Sequence, residues 1–214
     1  MELPRRIVVG EKNIDGIGKF LKSLKNTKEV SIISGNHVKK IVQKKINRSL
    51  SASKIKNTWY LANNNQLKTI YKIEKKIRQS KNDLIVGIGG GRSVDIAKMI
   101  GFDIGKPFVS VPTSASHDGI ASPFVSIKGE KPHSMVATAP LGVFVDVDII
   151  KKAPKKLLAS GCGDLVAKIT AVRDWQLGRD KTGEYYGRYS ADLASMSAKF
   201  LMSSSARFSK KGLD

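Results

Sequence analysis

The residues best suited to chemistry begin at Gly87-Ile88-Gly89-Gly90-Gly91-Arg92-Ser93-Val94-Asp95, directly after an apolar run and at the head of a helical pattern. Adjacent glycines let backbone N–H groups approach a phosphate closely. The first turn of the helix that follows offers partial positive charge to an anion. The string differs from two common phosphate signatures. It lacks the Gly-x-Gly-x-x-Gly spacing of a first βα turn and the Lys-Ser/Thr pair of a P-loop. Its plain alternative is a tight strand-to-helix turn, but three adjacent glycines cost backbone entropy and favour a close-approach role. A second group, Pro112-Thr113-Ser114-Ala115-Ser116-His117-Asp118-Gly119, follows the next apolar run. Open α/β sheets bind ligands outside the carboxyl ends of their strands. Hydroxyls and a carboxylate placed there can hold phosphate, ribose or a polyol, and taken alone they are also an ordinary ST or Asx turn. A third group is Gly163-Asp164-Leu165-Val166-Ala167-Lys168, where Asp164 reads first as the N-cap of a helix. One carboxylate is not by itself a metal site.

The three histidines, His37, His117 and His133, form no His-x-x-x-His or His-Glu-x-x-His pattern. His37 follows a strand and suits a capping or surface role, and His133 sits near a hairpin and is expected in solvent. Cys162 lies between two glycines with no His or Cys neighbour, so a nucleophilic role is not expected.

These groups need a scaffold that brings strand ends together. Apolar runs at Arg6–Val9, Val30–Ser34, Thr58–Leu61, Leu84–Ile88 and Pro107–Val111 read as strands. Between them lie helical stripes: Ile14, Ile17, Phe20, Leu21 and Leu24; then Val38, Ile41, Val42, Ile46 and Leu50; then Leu67, Ile70, Ile73 and Ile77, with Glu74 and Arg78 as an i,i+4 pair. A further helix is expected from about Ser93 to Phe102. Strand and helix alternate, so the fold class is α/β with a parallel sheet covered on both faces. Ser122–Ile127 and Ser134–Ala137 predict a hairpin around Lys128-Gly129-Glu130-Lys131, and Val143–Val147 a further strand. From Ala153 the chain reads as helix. Pro154 starts one, Gly161-Cys162-Gly163 breaks it, and Asp164 caps the next, which buries Leu165, Ile169, Val172 and Trp175. A last helix is expected from about Tyr186 to Ala206. The domain boundary is expected near 148–153, with residues 1–150 as a dinucleotide-binding domain and 151–214 as the start of a helical one.

The chain has 214 residues and 41% hydrophobic side chains, enough for a core and against general disorder. No run of 18 apolar residues is present. One cysteine excludes an intramolecular disulfide and fits a reducing, cytoplasmic setting. The net charge is +20. Residues 1–80 hold 19 basic and 5 acidic side chains, and the remainder 19 and 13. Lys outnumbers Arg 29 to 9. Lys favours solubility, whereas Arg is preferred for bidentate phosphate and base recognition. The excess therefore reads mainly as the outer faces of covering helices, with some steering of a small anion. Aromatics are 7% and scattered, and no nucleic-acid-binding signature appears, so no nucleic-acid partner is expected.

Together, GIGGGRSVDIAK, PTSASHDGIASPFVSI and GCGDLVAK resemble the archaeal sn-glycerol-1-phosphate dehydrogenase family, which groups with glycerol dehydrogenases, iron-dependent alcohol dehydrogenases and dehydroquinate synthase-like enzymes. The resemblance runs in order through all 214 residues, and TSASHDGIASP is its most specific part. It implies an α/β nucleotide-binding domain followed by a helical metal-binding domain, with the active site in the cleft between them. It implies reduction of dihydroxyacetone phosphate with NADH or NADPH, using Zn²⁺, for archaeal lipid synthesis. By motif, Gly91, Arg92, Ser93, Val94 and Asp95 would contact the cofactor, and Thr113, Ser114, Ala115, Ser116 and Ser122 would line it. Asp118 would contact substrate. Asp164 would touch substrate and be the first zinc ligand, and so the catalytic residue. The family's two further His ligands lie beyond this chain. The expectation is therefore an N-terminal portion, with an incomplete helical domain, weak nucleotide binding and no turnover alone. A glycerol dehydrogenase-like polyol oxidoreductase is the alternative within the superfamily, and a basic nucleic-acid-binding module the alternative outside it. No acidic residue follows Ile33-Ser34-Gly35-Asn36, which tilts cofactor choice toward tolerance of NADP. A homo-oligomer is left open.

Overall fold

The computed structural model describes residues 3–64, 66–127 and 133–210. Six strands form one all-parallel sheet: β1 (Arg6–Gly10), β2 (Glu29–Ser34), β3 (Lys56–Leu61), β4 (Leu84–Gly89), β5 (Phe108–Pro112) and, after a separate hairpin of β6 (Phe124–Ile127) and β7 (His133–Val136), β8 (Gly142–Asp146). The spatial order is β1-β8-β5-β4-β2-β3. The helices are α1 (Ile17–Leu24), α2 (Asn36–Ala52), α3 (Leu67–Arg78), α4 (Gly91–Asp103), α5 (Val147–Ile150), α6 (Lys155–Val166), α7 (Lys168–Thr182) and α8 (Arg188–Lys210).

Period-two alternation divides the core. Leu84, Val86 and Ile88 of β4 join Ile17, Phe20, Leu21, Val42, Ile46 and Leu50 of α1 and α2 on one face. Ile85 joins Ile70, Ile73 and Ile77 of α3 and Val94, Ala97 and Ile100 of α4 on the other. The central strands are apolar on both sides because both sides are covered. Glu74 and Arg78 form the expected ion pair at 2.7 Å.

The structure changes several expectations. Ile41 is 57% exposed, since it lies one position off the stripe of Val42, Ile46 and Leu50. Residues Asn13–Gly16 form a 3₁₀ turn, so the first α-helix starts at Ile17 rather than Ile14. The strand expected to reach Val147 stops at Asp146. Its buried carboxylate accepts N–H groups from Asp148 and Ile149 at 3.0 and 3.2 Å and from Ile14 at 2.8 Å, so it caps α5 and anchors the 3₁₀ turn. The hairpin pairs Phe124 with Val136, while its expected turn at Lys128–Lys131 and the side chain of His133 lie outside the described residues. The Gly161-Cys162-Gly163 break does not occur. Helix α6 runs straight through it and ends at Val166. Glycine costs about 1 kcal/mol in a helix interior, which weakens a helix without forbidding it. Asp164 thus sits inside the last turn of α6 and caps nothing.

The chain divides into two compact units. One holds residues 1–115 and 119–153, and the other residues 116–118 and 154–214. In the second unit α8 packs on α6 and α7. Among the described residues its fully buried apolar side chains are Ala191 and Ala198, on one face of α8. The single helix expected to bury Leu165, Ile169, Val172 and Trp175 is divided, with Leu165 in α6 and the other three in α7, and all four are only half-buried. Trp175 is held by its indole N–H to the Tyr185 carbonyl at 2.6 Å and by the Tyr186 ring, centroids 5.0 Å apart.

Candidate functional site

In the first unit, adjacent parallel strands β2 and β4 send their following helices to opposite faces of the sheet. Helix α2 packs in one core and α4 in the other. Such a reversal opens a crevice outside the carboxyl ends of the two strands. The glycine string lies at that point on β4. Gly87 is obligatory for packing, since a Cβ there would stand 2.7 Å from Ala97 Cβ. Gly89 has φ +150°, and a Cβ would meet Ser93 Oγ at 2.7 Å. The chain then enters α4 at Gly91 with no side-chain cap. First-turn N–H groups lack intrahelical partners, so this uncapped turn at a switch point is suited to an anion.

The expected cofactor residues sort by position. Ser93 is buried beneath Gly89. Val94 is 0% exposed in the core and can offer a ligand only its backbone. Arg92 turns its guanidinium to the Asn63 carbonyl at 2.8 Å. Thr113 extends the β4–β5 ladder, its N–H donating to the Gly89 carbonyl at 2.9 Å, and is buried. The buried Ser114 places its Oγ 3.4 Å from where a Gly90 Cβ would stand, so two of the sequence motifs converge. Ala115 and Ser122 are half-buried, and Ser116, in the second unit, is buried. Asp95 accepts the Ser126 N–H at 3.3 Å and pairs with Lys98 at 3.7 Å.

The remaining expected residues meet in the second unit. Asp118 opens a 3₁₀ turn, and its N–H donates to Asp164 Oδ2 at 2.8 Å. Its own carboxylate accepts from Lys168 Nζ at 2.5 Å, and the same ammonium lies 4.0 Å from Asp164 Oδ1. Burial pulls the Lys168 ammonium toward neutrality. The hydrogen bond and charge of Asp118, with the charge of Asp164, outweigh that and hold its pKa above the ordinary lysine value. The result is one ammonium bracketed by two carboxylates. Such a cluster can accept hydrogen bonds from a hydroxylated ligand. Among the described residues no three His, Cys, Asp or Glu side chains group together, so Asp164 alone does not make a metal site.

Two members were not singled out from the sequence. Lys168 carries only an i,i+4 relation to Asp164, and its main partner is 50 residues away. Lys98 is fully buried, and its local signal is an i,i+3 relation to Asp95 amid apolar neighbours.

The chain is 62% identical over all 214 residues to the glycerol-1-phosphate dehydrogenase [NAD(P)+] of Nitrosopumilus maritimus (strain SCM1), and 59% identical to that of Cenarchaeum symbiosum (strain A). It spans 60% of the length of each. Among solved structures it resembles the glycerol dehydrogenase of Schizosaccharomyces pombe, with TM-score 0.74 and 25% identity over 82% of this chain and 46% of that one. An iron-containing alcohol dehydrogenase from Thermotoga maritima shares the fold, with TM-score 0.70 and 19% identity over 78% of this chain and 53% of that one. Residues 8–154 match the family model for iron-containing alcohol dehydrogenases, and they contain the switch-point crevice and its glycine turn, so this chain belongs to the iron-containing alcohol dehydrogenase family.

Proposed function

We propose that the chain is the nucleotide-holding and substrate-contacting part of an enzyme that reduces dihydroxyacetone phosphate to sn-glycerol 1-phosphate with NADH or NADPH, supplying glycerol for archaeal membrane lipids. The observation that carries this reading is the glycine cradle at the β2/β4 switch point, in a chain so close to proteins named for that activity. The pyrophosphate would lie against Gly89–Gly91 and the first turn of α4, with Thr113, Ser114, Ala115, Ser116 and Ser122 along the dinucleotide. The nicotinamide, when bound, supplies the hydride. Asp118 would accept a hydrogen bond from a substrate hydroxyl, and Lys168 holds that carboxylate in one orientation. Asp164 fixes the Asp118 backbone and would face the same ligand as a substrate contact. The sequence Ser34-Gly35-Asn36-His37 after β2 has no carboxylate to repel a 2′-phosphate, so both cofactors would be accepted. A cytoplasmic setting goes with this reading. No helix of the described residues is long and apolar enough to cross a membrane.

A polyol oxidoreductase is the second reading, favoured by the likeness to a glycerol dehydrogenase structure. Fluorescence titration with NADH and NADPH, followed by cofactor consumption with dihydroxyacetone phosphate or dihydroxyacetone, tests both. The expected result is saturable binding of both cofactors and, where turnover occurs, preference for the phosphorylated ketone. Absence of cofactor binding would overturn the first reading, and preference for dihydroxyacetone would replace it with the second.

A further inference from the structure

The lysine excess of the first 80 residues is not all spread over helix faces. At the opposite end of the sheet from the glycine turn lies an open basin of about 530 Å³. Lys22 from the last turn of α1, Lys28 before β2, Lys54 in the turn after α2, Lys56 at the start of β3, and Lys81 before β4 all line it. Its carboxylates are Glu29 and Asp83, which leaves five positive charges against two. Among the described residues none of these five lysines forms an ion pair.

The rim is built rather than incidental. Asp83 Oδ2 accepts the N–H groups of Lys28 and Glu29 at 2.7 and 3.0 Å, which pins the entry to β2 against the entry to β4. Lys54 holds a left-handed backbone, φ 55°, in the turn that closes α2. Lys28, Lys54 and Lys81 therefore sit on short turns, and Lys56 on the first residue of β3, with backbones set by the sheet. Like charges brought together without partners repel, so the arrangement lowers stability unless an anion occupies it.

We propose that this basin is a second anion site that binds a compact polyphosphate, distinct from the dinucleotide turn. The charge balance calls for a ligand with three or more negative charges. A volume of this size suits a small molecule. The lining contains Lys and no Arg, which suits phosphate held by point charges rather than base edges read by a bidentate fork. A concave wall of net positive charge also concentrates the field more than a flat face does. This inference does not depend on the proposed reaction, because all the residues lie at the amino ends of the strands.

The probe is inorganic tripolyphosphate, titrated calorimetrically into the full chain at low and physiological salt. One equivalent should bind, more weakly as salt rises. Saturating NADH should leave its affinity unchanged. The neutral double variant Lys28→Gln/Lys56→Gln should weaken it at least tenfold. Lys22→Gln/Lys81→Gln, drawn from other elements, should do the same, with thermal midpoints at or above that of the unmodified chain. Unchanged affinity in both folded variants would overturn the proposal. So would displacement by NADH, which would place the anion at the glycine turn. Tighter, length-dependent binding of duplex DNA, lost in the same variants, would overturn it in favour of a nucleic-acid surface, and saturation only at tens of millimolar tripolyphosphate would leave no specific site.

Discussion

The Lys98 ammonium, fully buried in the first unit, donates to the Gly119 carbonyl at 2.8 Å, and to that of Phe124 at 2.6 Å. It leaves the helix that begins at the glycine turn and fastens the far end of the Thr113–Ser122 loop. A buried ammonium survives only where its protons are satisfied and a negative charge is near, and Asp95 supplies that charge at 3.7 Å. Lys98→Met keeps the length and removes the donors. It should cost about 2–4 kcal/mol, because the two carbonyls lose their partner in a dry site. Urea unfolding should show a lower midpoint at unchanged slope. A loss under 1 kcal/mol would mean that the carbonyls find another donor.

The glycine turn makes two different demands. At Gly87 the constraint is packing, since the Cβ of an alanine would meet Ala97 Cβ at 2.7 Å. Gly87→Ala should therefore cost about 1–3 kcal/mol of stability through overpacking. At Gly89 a positive φ is combined with contacts to the buried Ser93, Oγ at 2.7 Å and Cβ at 3.0 Å, so a side chain there strains the backbone of the turn itself. Gly89→Ala should lower NADH affinity at least tenfold, whereas Gly87→Ala should lose stability with a smaller effect on affinity. Equal loss of affinity and stability in both variants would mean the turn serves only the fold.

Much of this was legible from local pattern. Central strands show as apolar runs because both faces are covered, and a glycine turn shows because nothing else tolerates φ +150° against Ser93. Interactions that span the chain were not legible. Asp146 meets Ile14 across 132 positions, and Asp118 meets Lys168 across 50. The position of Asp164 was misread for a different reason. Glycine lowers helix stability by a small amount, and the packing of α6 against α8 outweighs it. The basin lysines escaped notice because they are scattered between residues 22 and 81 over α1, β3 and the connections before β2, β3 and β4, and only strand pairing brings these places to one end.

The Asp118–Lys168 pair predicts a pH dependence. The folded-state pKa of Lys168 lies above the unfolded value of 10.5, so its stabilisation is fully present below that pH and disappears as pH rises through the folded value. The stability gap between the unmodified chain and Lys168→Met, measured by urea unfolding, should be constant from pH 7 to 9 and narrow above about pH 10.5. A gap that persists unchanged to pH 12 would assign the effect of Lys168 to its methylene packing.

Asp83 predicts the opposite limb. The Lys28 N–H lowers its pKa most. Partial burial opposes this, and the Glu29 N–H and the charges of Lys25 and Lys106 add to the lowering. A depressed folded-state pKa gives stability that is present above 3.8 and is lost as pH falls through the folded value. The difference between the unmodified chain and Asp83→Asn should then be flat from pH 8 to 5 and shrink below about pH 4. Adding tripolyphosphate at pH 7 should stabilise both proteins, and Asp83→Asn more, since removing a carboxylate leaves the basin more positive. If the anion stabilises Asp83→Asn less, the backbone order that Asp83 imposes on Lys28 matters more than its charge.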